Sequence, residues 1–322
     1  MAVIETSKLT KHFGRISAVE ALSLKIEEGE VFSLLGPNGA GKTTTIKMLA
    51  TLLAPSSGRA TVNGFDIAKS PSKVRESIGI VFQEPSSDEL LSGYENLKMH
   101  SMIYGLHDGA VEKKIEEALS LVELTDRKND LVKTYSGGMR RRLEIARGLL
   151  HQPKVLFLDE PTLGLDPRGR ETMWGYVKRL VAELNMTILL TTHYMEEADE
   201  LADRICIIDH GKAVSVGTPD GLKAKVGGDL VTLTASVLPD PKALGKLKFI
   251  RGIEKKDGKL LITVDDAAAN LQELLCKAGK IDCVEVRNPT LNDVFIKFTG
   301  RELEQAEGGW FDKIVQESVN KQ

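Results

Sequence analysis

Three short runs, KVLFLD (154–159), MTILLTT (186–192) and RICIID (204–209), are apolar almost end to end and show no polar face. A strand with alternating polarity can leave one side in water, but a strand without alternation must be covered on both. Helical patterns fill the gaps, RETMWGYVKRLVAEL between the first two runs and YMEEADELAD between the last two. Strands alternating with helices predict an α/β fold around a parallel sheet. Upstream, IETSKLTKHF, ALSLKI, EVFSLL and GRATVNGFDI read as β, with a helix near Pro71–Ser77 and a short strand GIVFQ ending at Gln83. Residues 94–150 are rich in helical patterns.

The character changes around Gly217 to Gly228. Beyond it the chain reads as the strand DLVTLTASV, a turn-rich stretch ending in KKDG, the strand LLITVD, the helix AAANLQELLCKAG, the strand IDCVEVR and the helix TLNDVFIKF. This is a small α+β unit, and the expected domains are 1–224, 225–300 and a polar tail, 301–322, that could form a terminal helix.

Composition excludes some classes. Apolar residues at 42% and charged residues at 28% are ordinary for a globular chain and argue against disorder. Forty-three basic against 46 acidic residues leave a net charge of -3, which excludes a polycation built to coat nucleic acid. Cys206, Cys276 and Cys283 have no paired spacing, so a disulfide framework is not expected and a reducing compartment is. No apolar run approaches the roughly 18 residues of a spanning helix. The start, MAVIETSKLTK, lacks an apolar signal core. A cytoplasmic location is the expectation, with any membrane work done through a partner.

Gly36-Pro37-Asn38-Gly39-Ala40-Gly41-Lys42-Thr43 fits G-x(4)-G-K-[ST], between the apolar run VFSLL and a helical pattern from Lys42 to Leu53. Glycines in such a loop let main-chain N–H groups face phosphate oxygens, and the helix start adds positive potential. Lys42 would neutralise the β- and γ-phosphates, and the Thr43 hydroxyl would serve a Mg²⁺ site. Thr44 either reaches the α-phosphate or packs at the helix start. The run VLFLD ends in two acids, Asp159 and Glu160. The carboxyl ends of parallel strands form the ligand crevice, so Asp159 is placed to hold Mg²⁺ and Glu160 to orient and polarise water. His193 closes the next strand at the same edge, within reach of a γ-phosphate. Gln83, also at a strand end, can sense Mg²⁺ or the attacking water.

Tyr135-Ser136-Gly137-Gly138-Met139 opens another helix, with Ser136 as N-cap. Ser136 and the N–H groups of Gly137 and Gly138 make a second anion site. A small domain rarely spends two such sites on one nucleotide. A head-to-tail homodimer resolves this, each ATP lying between one copy's cradle and the other's Ser-Gly-Gly end. Leu143, Ala146, Leu149 and Leu150 form the expected buried stripe. Arg140 to Arg142 could be a phosphate patch, but a solvated helix face is the preferred reading.

GPNGAGKTT, the Gln83 loop, YSGGM, VLFLDEP, GLDP (164–167) and TTHYMEEAD occur in the order seen in the nucleotide-binding subunits of ABC transporters, which residues 1–224 resemble. The resemblance implies a P-loop NTPase fold of ABC type, with a mostly parallel central sheet, an antiparallel β subdomain and a helical subdomain. It implies Walker A at 36–44, catalytic Glu160, a D-loop around Asp166 contacting the partner copy, and an H-loop at His193. An aromatic from the first strands commonly stacks on adenine in the family; Phe13 fits, with His12 the weaker choice. Tyr135 and Met139 depart from the Leu and Gln most common in the signature, but Ser136, Gly137 and Gly138 remain. TLLAPSSGRATVNGFDI, VFQEPSSDELLSGYENL and TLNDVFIKFTG resemble the daunorubicin-resistance type of export ATPase. That likeness implies MgATP hydrolysis on the inner face of a membrane, driving export of a drug-like, lipid or polysaccharide compound through a separate integral membrane permease. Residues 84–105 would carry the motion to that subunit. The rival readings are an ABC-type ATPase acting on ribosomes or nucleic acid, and a non-catalytic ATP-binding regulator.

Overall fold

A computed structural model describes residues 2–106 and 111–300. The expected tail, 301–322, lies outside the described residues. The chain divides into two compact units that meet in sequence at Val216 and Gly217.

The first unit is built on a six-stranded sheet. Its strands lie in the order Lys212–Gly217, Arg204–Asp209, Val31–Leu35, Thr187–Thr192, Val155–Asp159, Ile78–Val81. Arg204–Asp209 through Ile78–Val81 pair in parallel. Burial explains why the sequence lacks alternation. Along Val155–Leu158, Val155 and Phe157 point into one apolar core and Leu156 and Leu158 into the other. The first core takes in the antiparallel sheet, and the second the helices of residues 93–150. Cys206 is fully buried in the former, and burial pushes its thiol up to about 12.

The antiparallel sheet is five-stranded, with Ala2–Phe13 pairing Ile16–Leu22, Lys25–Glu27 and Ser57–Val62, and the last pairing Phe65–Asp66. The helical subdomain contains Gly93–Ile103, Val111–Leu121 and Gly137–Leu149. Among the described residues, no helix is long and apolar enough to cross a membrane.

Two elements of this unit are shorter than expected. The helix from Lys42 stops at Leu49 rather than Leu53, because Ala50 caps it and Thr51 turns left-handed (φ 63°). The strand read as GIVFQ ends at Val81, so Gln83 lies two residues beyond it in a loop.

The second unit has a four-stranded antiparallel sheet in the order Ile250–Lys256, Lys259–Val264, Asp229–Thr234, Cys283–Arg287. Ile250–Lys256 corrects the turn-rich reading. It is an edge strand with mostly polar, exposed side chains, closed by an Asp257-Gly258 hairpin turn with positive φ at both residues. Helix Ala267–Ala278 contributes Leu274 to the core under this sheet, and helix Pro219–Ala224 packs on Leu291–Thr299.

Candidate nucleotide site

The central strand Val31–Leu35 is buried along its whole length and delivers the chain to the glycine-rich loop at the carboxyl edge of the sheet. Gly36 N–H donates to Thr192 O (3.2 Å), which fixes the loop to the neighbouring strand. Gly41 caps the following helix in the left-handed region (φ 101°), and a Cβ there would lie 2.2 Å from Ala18 O. Only glycine fits that turn.

The loop walls a cavity of about 340 Å³ together with Ala18, Gln83, Glu160, Leu163 and His193. Pro37, Asn38, Gly39, Ala40, Gly41, Lys42, Thr43 and Thr44 all line it. Its size suits a small-molecule ligand.

Lys42 is buried. Its ammonium donates to Gly36 O (2.7 Å) and Pro37 O (3.2 Å), and lies 3.2 Å from Glu160 Oε1. Burial lowers the pKa of this lysine, against the opposing pull of the Glu160 charge. Burial by itself would raise the Glu160 pKa, but His193 and Lys42 outweigh it and hold the carboxyl below its ordinary value. Glu160 itself sits at φ 49°, its N–H donating to Thr191 O (3.1 Å) and Thr191 Oγ1 (3.0 Å). A non-glycine residue in that region is strained, and such strain gathers at functional sites.

Asp159 is buried behind the cavity wall, where its Oδ1 accepts from Thr43 Oγ1 (3.0 Å) and Thr191 Oγ1 (2.6 Å). His193 is 3% exposed, with Nδ1 3.2 Å from Glu160 Oε2 but off the line of a hydrogen bond. Among the described residues, neither ring nitrogen has a hydrogen-bond partner. Phe13 does not line the cavity. It ends the strand Ala2–Phe13, half exposed, with Lys11 Nζ 5.3 Å from its ring centroid.

Ser136, Gly137 and Gly138 are not on this cavity. Ser136 caps its helix by accepting from Met139 N–H (3.2 Å), and the three residues line a separate groove with Asp166. Asp166 is itself the N-cap of helix Pro167–Leu184, accepting from Gly169 N–H at 3.0 Å. The predicted stripe Leu143, Ala146, Leu149 and Leu150 is buried.

The arginine run is not the solvated face expected, and Arg142 lines the groove of Ser136–Gly138. Arg140 pairs with Glu89, and Arg142 donates to Val122 O (3.1 Å) and Tyr176 Oη (2.8 Å). Arg141 is buried and bonded to main-chain oxygens. A signal for this was present, since Arg141 stands four residues before Ile145 on the buried side of the helix. Glu197 was also missed. It is fully buried and accepts from Trp174 Nε1 (3.3 Å), and burial raises its pKa.

Residues 19–163 match the ABC transporter family, and residues 217–299 match the C-terminal domain of ATP-binding proteins like DrrA1-3. The chain is 40% identical to the daunorubicin resistance ATP-binding protein DrrA2 of Streptomyces coeruleorubidus, over 94% of this chain and 97% of that one. It is 37% identical to the linearmycin resistance ATP-binding protein LnrL of Bacillus subtilis, over 94% and 99%. The cassette superposes on cbiO1 of Clostridium perfringens, part of the ABC transporter complex cbiONQ, with a TM-score of 0.65 and 30% identity, covering 70% of this chain and 91% of the other. A dimeric post-hydrolysis cassette, MJ0796 bound to ADP and phosphate, matches with a TM-score of 0.60 and 28% identity, covering 67% and 98%. With this sheet, this glycine cradle and relatives covering 94% of its length, the chain belongs to the ATP-binding proteins of ABC transporters and is an ABC-type ATPase.

Proposed function

We propose that this chain hydrolyses ATP at composite sites, each formed by the cradle of one copy and the Ser136–Gly138 end of a second, and so drives export through a separate integral membrane subunit. The observation that carries the hydrolytic part is the convergence of Lys42, Glu160 and His193 on one glycine-lined cavity. Export, rather than work on nucleic acid or a regulatory role, follows the relatives, which are resistance and export ATP-binding proteins, among them Nod factor export ATP-binding protein I of Rhizobium etli at 36% identity. The cargo is then a drug-like, lipid or polysaccharide compound, and the protein works at the inner face of the membrane.

Phosphate entering the cradle competes with Glu160 for the Lys42 ammonium, because the two lie 3.2 Å apart. As Lys42 turns to the phosphate, Glu160 loses one of the groups that hold its pKa down and becomes a stronger base for water. His193 Nε2, which has no hydrogen-bond partner among the described residues, offers a donor to the γ-phosphate. The main-chain N–H groups of the cradle stabilise the charge that develops on the transferring group.

The donor set suits Mg²⁺. Asp159 Oδ1, two threonine hydroxyls that already converge on it, and the nearby Gln83 are hard oxygen ligands. Thr43, Asp159 and Gln83 would hold the ion, which when bound neutralises phosphate charge. Among the described residues there is no cluster of three or more His, Cys, Asp or Glu side chains that could hold a metal ion.

Support for the trans arrangement comes from Gly137 and Gly138. Among the described residues of this chain, a Cβ on either meets nothing closer than 3.7 Å, so the space beside them is open to a second copy's nucleotide. Phe13, half exposed at the end of the strand Ala2–Phe13, is the adenine platform in this reading, and Asp166 contacts the second copy. The deciding experiment is Glu160→Gln. Turnover should fall by at least a hundredfold while ATP drives a stable dimer in size-exclusion chromatography, and hydrolysis at the parental rate would remove Glu160 from the mechanism.

A further inference from the structure

The helix Gly137–Leu149 does more than present Ser136 at its start. Arg141, one turn in, reaches back under the catalytic edge and donates four hydrogen bonds to main-chain oxygens. Its Nε meets Pro161 O at 2.9 Å, Nη2 meets Asp159 O at 2.8 Å and Glu160 O at 2.9 Å, and Nη1 meets Phe82 O. Three of these carbonyls belong to consecutive residues of the left-handed turn that aims Glu160. The fourth immediately precedes Gln83.

One helical turn further on, Glu144 takes up the other side of the Gln83 loop. Its carboxylate accepts from Ser86 N–H (3.1 Å), Ser86 Oγ (3.0 Å) and Ser87 N–H (2.8 Å), and pairs with Arg147. A single helix therefore holds the turn carrying the catalytic carboxylate and brackets the loop carrying Gln83.

The chemistry makes this linkage stiff. A buried guanidinium has given up water, and Arg141 recovers that loss through carbonyl dipoles rather than a contacting carboxylate. Carbonyl dipoles stabilise a cation only when they stay aligned on it, so the turn and the helix cannot slide apart without stranding a charge.

We propose that Arg141 is a positioning residue for ATP hydrolysis, joining the Ser136 helix and the Glu160 turn into one piece. Nucleotide engaged at Ser136–Gly138 then bears on the carboxylate of the same copy, which faces the other nucleotide. The two sites of a dimer are linked through this side chain. The inference rests on the role assigned above to Glu160.

The test measures purified full-length Arg141→Lys and Arg141→Gln beside Glu160→Gln. Both Arg141 variants should lose at least tenfold in kcat. Their KM for ATP and their affinity for a fluorescent ATP analogue should change less than threefold. Arg141→Lys should retain more turnover than Arg141→Gln, since an ammonium keeps the charge and reaches part of the carbonyl set. Parental kcat in Arg141→Gln while Glu160→Gln is inactive overturns the proposal and leaves the Glu160 reading intact. A fall in kcat matched by an equal loss of nucleotide affinity, or failure of both variants to fold, makes Arg141 a residue of the fold alone and overturns it too. Parental turnover in Glu160→Gln removes the carboxylate's role, and this proposal with it.

Discussion

Two helices of this chain open on glycine, and in the reading proposed above both present N–H groups to phosphate, yet their glycines sit in opposite surroundings. In the cradle, a Cβ on Gly36 would lie 2.2 Å from Ile208 O, and one on Gly41 would lie 2.2 Å from Ala18 O. The fold itself forbids a larger residue there. At the other helix, the nearest atom to a Cβ on Gly137 is Leu165 Cδ2 at 3.7 Å, and for Gly138 it is Ser136 Oγ at 4.0 Å. Neither residue is among those with positive φ. Glycine in a helix costs about 0.5–1 kcal/mol relative to alanine, and nothing in the described part of this chain requires it at Gly137 or Gly138, which leaves room there for the second copy's nucleotide of the proposed reading. In the proposed reading the cradle is complete in one copy and the Ser136 end is completed by a second.

The largest expected effect breaks the first half of that comparison. Gly41→Ala must take a left-handed backbone and push against a carbonyl, which together cost on the order of 3 kcal/mol. Nucleotide binding, followed with a fluorescent ATP analogue, should be lost, with a lower midpoint of thermal unfolding. Normal binding by this variant would mean the loop relaxes freely and the cradle is not held as described.

Gly138→Ala makes the converse case. Stability of the single chain should stay level or rise by up to about 0.5 kcal/mol, because alanine is the better helix former. ATP affinity of the cradle should be unchanged, while hydrolysis falls at least tenfold as the added methyl enters the space a second copy's nucleotide needs. Parental hydrolysis by this variant would show that the Ser136 end works without close approach of a ligand, and the comparison would fail.

The same contrast explains what could be read in the sequence. The central sheet was legible because burial on both sides leaves a chemical trace, seen where Val155 and Phe157 enter one core and Leu156 and Leu158 the other. The cradle was legible because its spacing is fixed by steric demands within a few neighbouring residues. Ile250–Lys256 was not, since an edge strand with one sparse apolar face resembles a loop until its hairpin partner is known. Arg141 was missed for a different reason. Its partners are carbonyls, which carry no residue identity, so nothing in the sequence at Phe82, Asp159, Glu160 or Pro161 reveals that a guanidinium is shared among them.

A smaller effect separates the two halves by pH. His100, on the helix Gly93–Ile103, has its pKa lowered to about 4 by burial first, then by the charges of Arg147 and His151. Tyr104 lies against it, with ring centroids 4.9 Å apart, and stacks on His151 at 4.2 Å. A histidine held neutral in the folded chain but free to protonate near its ordinary 6.5 when unfolded favours the unfolded state in acid. Its contribution is therefore whole above pH 6.5 and is lost progressively as pH falls from there to about 4. The cradle responds lower down. Glu160 is held below its ordinary 4.5, so its contribution is whole above that value and declines only as pH falls further. Mild acid should thus loosen the helical side first, by roughly 1–2 kcal/mol once solvent screening is counted. Denaturant unfolding between pH 7.5 and 4.5 reads this directly. His100→Gln should flatten the slope of stability against pH in that window and leave nucleotide binding by the cradle unchanged. An unaltered slope would place the acid sensitivity elsewhere and erase the distinction between the two sides.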